Sequence, residues 1–112
     1  MIIPCELGTF SIEGLLQMID KLRATLSKRN HTLDLTGVIP FKYNATISMH
    51  QTYLHDLQET FRDQLLPMVR QDTVVGKSQH FHQSVFEYDP TSKAAQDFTH
   101  IASMLIGKEA TV

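Results

Sequence analysis

Tryptophan is absent, cysteine occurs once, and proline and glycine number only four and five in 112 residues. A single cysteine, Cys5, excludes an internal disulfide framework and a multi-cysteine zinc site, which suits a reducing compartment. So little proline and glycine excludes collagen-like and low-complexity chains. No apolar run approaches the roughly 18 residues of a membrane span, and the first residues lack the basic, apolar and small-residue order of a signal peptide. A cytoplasmic protein without membrane contact is expected. Charge of one sign is also lacking: ten basic against 12 acidic residues give a net −2, so no global field draws nucleic acid or anionic lipid. What is present is a 42% hydrophobic chain, long enough for one small domain over residues 1–112.

Hydrophobic spacing divides that domain into alternating elements. Met1 to Cys5 reads as a short buried strand checked by Pro4. A helix follows, capped by Ser11, with Glu13 in its first turn and Ile12, Leu15, Leu16, Ile19, Leu22 and Leu26 at three- and four-residue spacing. Phe10 is placed to staple onto Leu15, Lys28 and Arg29 suit the last turn, and Asn30 suits a left-handed stop. Leu33 to Ile39 reads as a second strand ended by Pro40, before a polar loop at 42–46. Ser48 to Gln51 has a capping-box pattern and opens a second helix, with Met49, Tyr53, Leu54, Leu57 and Phe61 on its buried face. Leu65 to Val69 is a third strand weakened by Pro67. Arg70 to Gln83 shows no sustained period and reads mainly as loop, and Val85 to Tyr88 as a short extended piece. Asp89-Pro90-Thr91-Ser92 opens a last helix with Ala94, Ala95, Phe98, Ile101, Ala102 and Leu105 buried and Gly107 at its end. Short apolar strands joined by helices predict an α/β fold with a parallel sheet of three short strands and three main helices.

Each chemical signal in this frame has a bland competitor. Gly76-Lys77-Ser78 has the tail of a phosphate loop, but Gln71 stands where its first glycine belongs and Val74-Val75 resist left-handed angles, so coincidence is preferred. Six histidines include the pair His80 and His82, which no cysteine or acidic cluster adjoins, so no metal site is expected. Cys5 sits in an apolar strand end, where a thiol is a small hydrophobe. Lys21, Arg23, Lys28 and Arg29 form a candidate phosphate-backbone contact, weighed against a solvated helix face diluted by Glu13 and Asp20. No catalytic constellation emerges.

Three segments taken together resemble the ParA/Soj family of partition ATPases, the deviant Walker A group that includes MinD. Ile2-Ile3-Pro4-Cys5-Glu6 with Phe10-Ser11-Ile12-Glu13-Gly14-Leu15 is similar to the family's proline-ended strand and "ALEGL"-like helix start. Leu35-Thr36-Gly37-Val38-Ile39-Pro40, then Tyr43-Asn44-Ala45, resembles "GVLPTMYDART", and Phe86 to Ala95 resembles "YDPxSKGA". The resemblance implies the C-terminal half of a Rossmann-like, P-loop NTPase-type domain. In that family the phosphate loop and the magnesium-binding acidic residues belong to the N-terminal half, so the chain alone is expected to use no cofactor and to be inactive, whereas full-length relatives use ATP and Mg²⁺. The resemblance places Phe41, Tyr43, Asn44, Val69, Arg70, Gln71 and Asp72 on the adenine side of the nucleotide. It also implies a ParB-type partner and pairing with itself or with a full-length ParA-type protein. Two arginines associated with DNA binding in the family fall on Thr46 and Val74, and Arg70 takes a proline's place, so DNA binding is not carried over.

Two function classes follow from these residues. One is a partial ParA-type protein of plasmid or chromosome segregation that does not hydrolyse ATP by itself. The other is a self-standing, non-enzymatic α/β interaction module acting through its sheet edge. A receiver-like regulator would need an Asp at a strand end, and no expected strand supplies one.

Overall fold

The computed structural model describes residues 1–8, 11–30 and 34–110. The expected staple at Phe10, the start of the second strand at Leu33, and His31 lie outside the described residues. Strands β1 (Ile2–Glu6), β2 (Gly37–Tyr43) and β3 (Val69–Arg70) form a parallel sheet in the order β1-β2-β3. The helices are α1 (Ile12–Lys28), α2 (Ser48–Phe61), α3 (Thr73–His80), α4 (Val85–Tyr88) and α5 (Lys93–Ala110), with a 3₁₀ turn at Arg62–Gln64. The fold is α/β, as the alternating pattern predicts.

The sheet has a different cover on each face. Ile3, Cys5 and Val38 point towards α1 and α2, where they pack with Leu15, Ile19, Leu57 and Phe61. Ile39, Leu66 and Val69 form a second, smaller core with Ile101 of α5, flanked by Phe41, Phe98 and Leu105. The side chains of β1 alternate, with Ile3 and Cys5 buried and Ile2, Pro4 and Glu6 exposed. Gly37 is a close-approach site: a Cβ there would lie 2.7 Å from the Leu66 side chain and 2.9 Å from the Gln64 carbonyl oxygen.

Several local expectations hold. The Ser11 hydroxyl accepts from the Gly14 N–H at 3.0 Å, and Asn30 has the left-handed φ of 59°. Others are corrected. β2 begins only at Gly37, with Asp34 to Thr36 outside the strand, and runs through Pro40 to Tyr43 instead of stopping at Ile39. Pro40 is tolerated because the pairing beside it is interrupted, between the bridge of Val38 to Leu65 and the pair Phe41 and Val69. The third strand is reduced to Val69–Arg70. The segment read as loop contains α3, because Asp72 caps it by accepting from the Val74 N–H. Val85 to Tyr88 is helical, held by a full capping box between Ser84 and Glu87. Ile47, not Ser48, precedes α2, and no side chain caps that helix. Met49 is 71% exposed and so takes no part in the core. Leu16 and Leu22 of α1 are also exposed, and α5 continues past Gly107 to Ala110.

Candidate functional site

The carboxyl ends of β2 and β3 meet the start of α3, the position where open parallel α/β sheets hold ligands. A cavity of about 390 Å³ opens there, lined by Phe41 and Lys42 of β2, by Val69 to Thr73, by Val75, Gly76 and Gln79 of α3, and by Phe98 of α5. Its size lies within the roughly 300–1,000 Å³ of small-molecule pockets. Phe41 and Phe98 supply an aromatic wall, with ring centroids 5.9 Å apart and planes tilted by 51°.

The two loops at this rim are tied by amides. The Gln71 N–H donates to the Tyr43 carbonyl at 2.8 Å, and the Asn44 amide Nδ2 donates to Gln71 Oε1 at 2.9 Å. Asn44 Oδ1 in turn accepts from the Thr46 N–H and hydroxyl at 3.0 and 2.6 Å, the local turn its side chain favours. The ladder shifts register between Phe41 and Tyr43, and the intervening Lys42 takes a left-handed φ of 61°. A non-glycine residue held there is strained, and such strain gathers at binding rims. Lys42 Nζ lies 3.3 Å from Glu6 Oε1, an exposed pair that joins the ends of β2 and β1.

The charges below the cavity are consumed internally. Arg70 is bidentate to Asp97, Nε to Oδ2 at 3.1 Å and Nη2 to Oδ1 at 3.0 Å, and the Arg70 N–H also donates to Asp97 Oδ2 at 2.9 Å. Its hydrogen bond to Asp97 raises the Arg70 pKa further. Asp72 is a double cap: Oδ1 accepts from the Val74 N–H at 3.0 Å and Oδ2 from the Ala94 N–H at 3.1 Å. The Val74 bond is the main cause that holds the Asp72 carboxyl below the ordinary carboxylate range, with smaller help from Ala94, Lys93 and Arg70. With Arg70 and Asp72 so engaged, the cavity favours a flat, largely neutral group over a phosphate.

Five of the seven residues that the family resemblance places beside a base, Phe41, Val69, Arg70, Gln71 and Asp72, line the cavity. Tyr43 and Asn44 stand behind the rim and reach it through Gln71. Lys42, Thr73, Val75, Gly76, Gln79 and Phe98 complete the lining; of these only Gly76 carried a sequence signal for a site, and it pointed to a phosphate loop, because α3 and the packing of α5 were needed to bring the others in. The four cations of α1 are not gathered on one side. At about 100° per residue, Arg23 projects from nearly the opposite side of the helix to Lys21 and Lys28.

The remaining signals resolve into structure. Gly76-Lys77-Ser78 lies inside α3, and the Ser78 hydroxyl donates to the Val75 carbonyl at 2.8 Å, so the triplet forms no phosphate loop. Burial pushes the Cys5 thiol up, and its sulfur lies 3.7 Å from the Tyr53 hydroxyl, whose own pKa burial raises. Among the described residues no group of three or more His, Cys, Asp and Glu could hold a metal ion. Among the same residues no helix is long and apolar enough to cross a membrane.

No protein-family model matches the chain. Over 98 residues, 87% of this chain, it is 29% identical to the cell division protein PomZ of Myxococcus xanthus, covering 31% of that protein. It is 23% identical over 110 residues to an uncharacterized protein of Pseudomonas putida, and 28% identical over 108 residues to one of Methanocaldococcus jannaschii. In each of these two it covers 42% of the relative, so the chain spans less than half the length of the curated proteins it matches.

Proposed function

We propose that the chain is a partition- or division-related protein of the ParA type that holds the base of a purine nucleotide in the cavity at the carboxyl ends of β2 and β3. The observation that carries this reading is that five of the seven residues which the family resemblance places on the base side line that one cavity. The distant likeness to a cell division protein supports the same direction. The base side of ATP fits the residues present: an aromatic wall, side-chain amides of Asn44 and Gln71 at the rim, and Lys42, Arg70 and Asp72 each already engaged by a partner within the chain. The phosphates and Mg²⁺ do not fit, since Gly76-Lys77-Ser78 is helical and, among the described residues, no cluster of His, Cys, Asp and Glu could hold a metal ion. No hydrolytic step is therefore derived, and the described residues act by binding and orienting the base.

The test is a titration of the chain with a fluorescent adenosine nucleotide, with phosphate release followed in parallel. Weak binding that adenosine competes as well as ATP, with no phosphate release, is expected. Binding that adenosine does not compete, or turnover that Lys77→Ala abolishes, overturns the reading. A non-enzymatic interaction module is the second reading, and the exposed flank of α1 favours it.

A further inference from the structure

α1 buries Leu15 and Ile19 on the sheet, yet Met18 and Leu22 remain 38% and 39% exposed. With Gly14, Gln17, Lys21 and Thr25 they line a recess of about 340 Å³. A parallel β1-α1-β2 crossover takes the right hand, which turns this flank of α1 away from α2 and over the free edge of β1. Lys21, Lys28 and Arg29 project around the same flank, while the helical period carries Glu13 and Asp20 to the other side. Among the described residues none of these three cations has an acidic partner. Lys21 and Lys28 stand two turns apart, about 10 Å along the axis.

The edge beside this flank is closed to strand addition at its centre. The Leu7 N–H donates to the Phe41 carbonyl, with Glu6 opposite Phe41 in the register, so the odd-numbered positions of β1 bond towards β2. Pro4 therefore faces outward, and it has no N–H to offer. A docking element must cover the flank by side-chain packing, which is what a helix does.

We infer that the flank of α1 formed by Met18, Leu22, Lys21, Lys28 and Arg29 is a docking surface for an acidic amphipathic helix of a partner protein. Charge complementarity selects this occupant: cations without acids border a short apolar recess, so the fitting partner places an apolar ridge in the recess and carboxylates at its margins. Duplex DNA fits less well, because phosphates gain nothing from Met18 and Leu22. A second copy of α1 brings the same cations and repels.

The test uses the full chain and a synthetic amphipathic peptide with leucine on one face and glutamate along its margins, followed by fluorescence anisotropy. Saturable binding that weakens with salt is expected, and the double variant Lys21→Glu, Lys28→Glu should weaken it about tenfold or more. Arg23→Glu, on the far side of the same helix, should leave it unchanged, and Leu22→Ser should weaken it without altering the salt dependence. The variant sites are exposed, and a thermal melt checks that each variant is folded. No binding, equal binding of a peptide with lysine in place of glutamate, or an equal loss in Arg23→Glu overturns the inference. Tighter binding of duplex DNA or of phosphatidylserine vesicles than of the acidic peptide, lost in the same double variant, also overturns it in favour of a polyanion or lipid surface.

Discussion

On the β3 side of the sheet the Arg70 N–H, which faces away from β2, is taken by Asp97 Oδ2 at 2.9 Å. Pro67 there has no donor, and α2 and α5 wall the edge in a groove lined by Leu54, Leu66, Met68 and Met104. On the β1 side Pro4 removes the central donor, but the N–H groups of Ile2 and Glu6 make no bond among the described residues. There α1 covers only the front face, and Ile2 remains 39% exposed behind. The first side closes with a proline, a carboxylate and two helices; the second closes with a proline alone. An edge that must stay unpaired needs such devices, and the β1 side carries fewer of them.

The sharpest way to break this contrast is to remove one apolar side chain from each side. Leu66 is 2% exposed in the core beneath α5, and Leu66→Ala should cost about 3 kcal/mol through lost burial and a residual cavity. Ile2→Ala, on the bare rear of β1, should cost about 0.5 kcal/mol or less. Urea melts of the two variants decide it, and equal losses would mean that the rear of β1 is covered as well as β3 is. Next in size is Asp97→Ala, which strips the cap from a strand N–H and leaves Arg70 without its bidentate partner. The expected loss is about 2 kcal/mol, kept below the figure for a buried pair because Arg70 is 38% exposed and water screens it. A loss no larger than that of a surface substitution would show that β3 is not held by this carboxylate.

The sequence disclosed the β1 side better than the β3 side. Ile3 and Cys5, Leu15 and Ile19, and Leu57 and Phe61 occupy their core places because spacing alone marks them. The site was half visible: Phe41 and Val69 to Asp72 could be named from a resemblance, whereas Gln79 and Phe98 could not. The reason is α3. Thr73, Val74, Val75 and Gly76 are poor helix formers, and what makes them helical is a cap from Asp72 that also bonds α5 across 22 positions. Tertiary context of that kind leaves no period in the chain. The cations of α1 were legible as charge, and the helical period already parts Lys21 and Lys28 from Arg23, but only the crossover shows which side of the sheet that flank overlooks.

That cap gives the third prediction. Asp72→Ala removes both bonds and should cost about 1.5 kcal/mol at neutral pH, with the cavity loosened, because β3, α3 and α5 meet there. The sign of its pH dependence follows from the lowered pKa of Asp72 in the folded chain. A carboxylate favoured by folding contributes stability above its unfolded pKa of about 3.9, and that contribution fades as the pH falls through the lower, folded value. The difference between wild type and Asp72→Ala should thus be full at neutral pH and shrink below about pH 4. Melts across acid pH check it, and a difference that stays constant would show that the capping bonds do not require the charge.

The most direct test of the uneven edges, with as small a change in stability as Ile2→Ala, comes from Pro4→Val. Pro4 is exposed on the outward edge, so little packing is lost, and the altered backbone freedom should move stability by only about 0.5 kcal/mol. The substitution restores a donor between those of Ile2 and Glu6 and adds a side chain that favours strands. The result is a continuous row of outward donors at positions 2, 4 and 6. The sequence alone leads one to expect self-association through this strand. Pro4 opposes that pairing, because two β1 edges meeting about a two-fold axis at position 4 would set the proline rings against each other where hydrogen bonds belong. Sedimentation velocity should therefore find Pro4→Val associating at concentrations where the wild type does so less, with β3-side variants such as Asp97→Ala showing no such concentration dependence. Equal association of Pro4→Val and wild type would mean that something other than the proline closes this edge. The wall between the two sides would then have to be sought in the α1 flank.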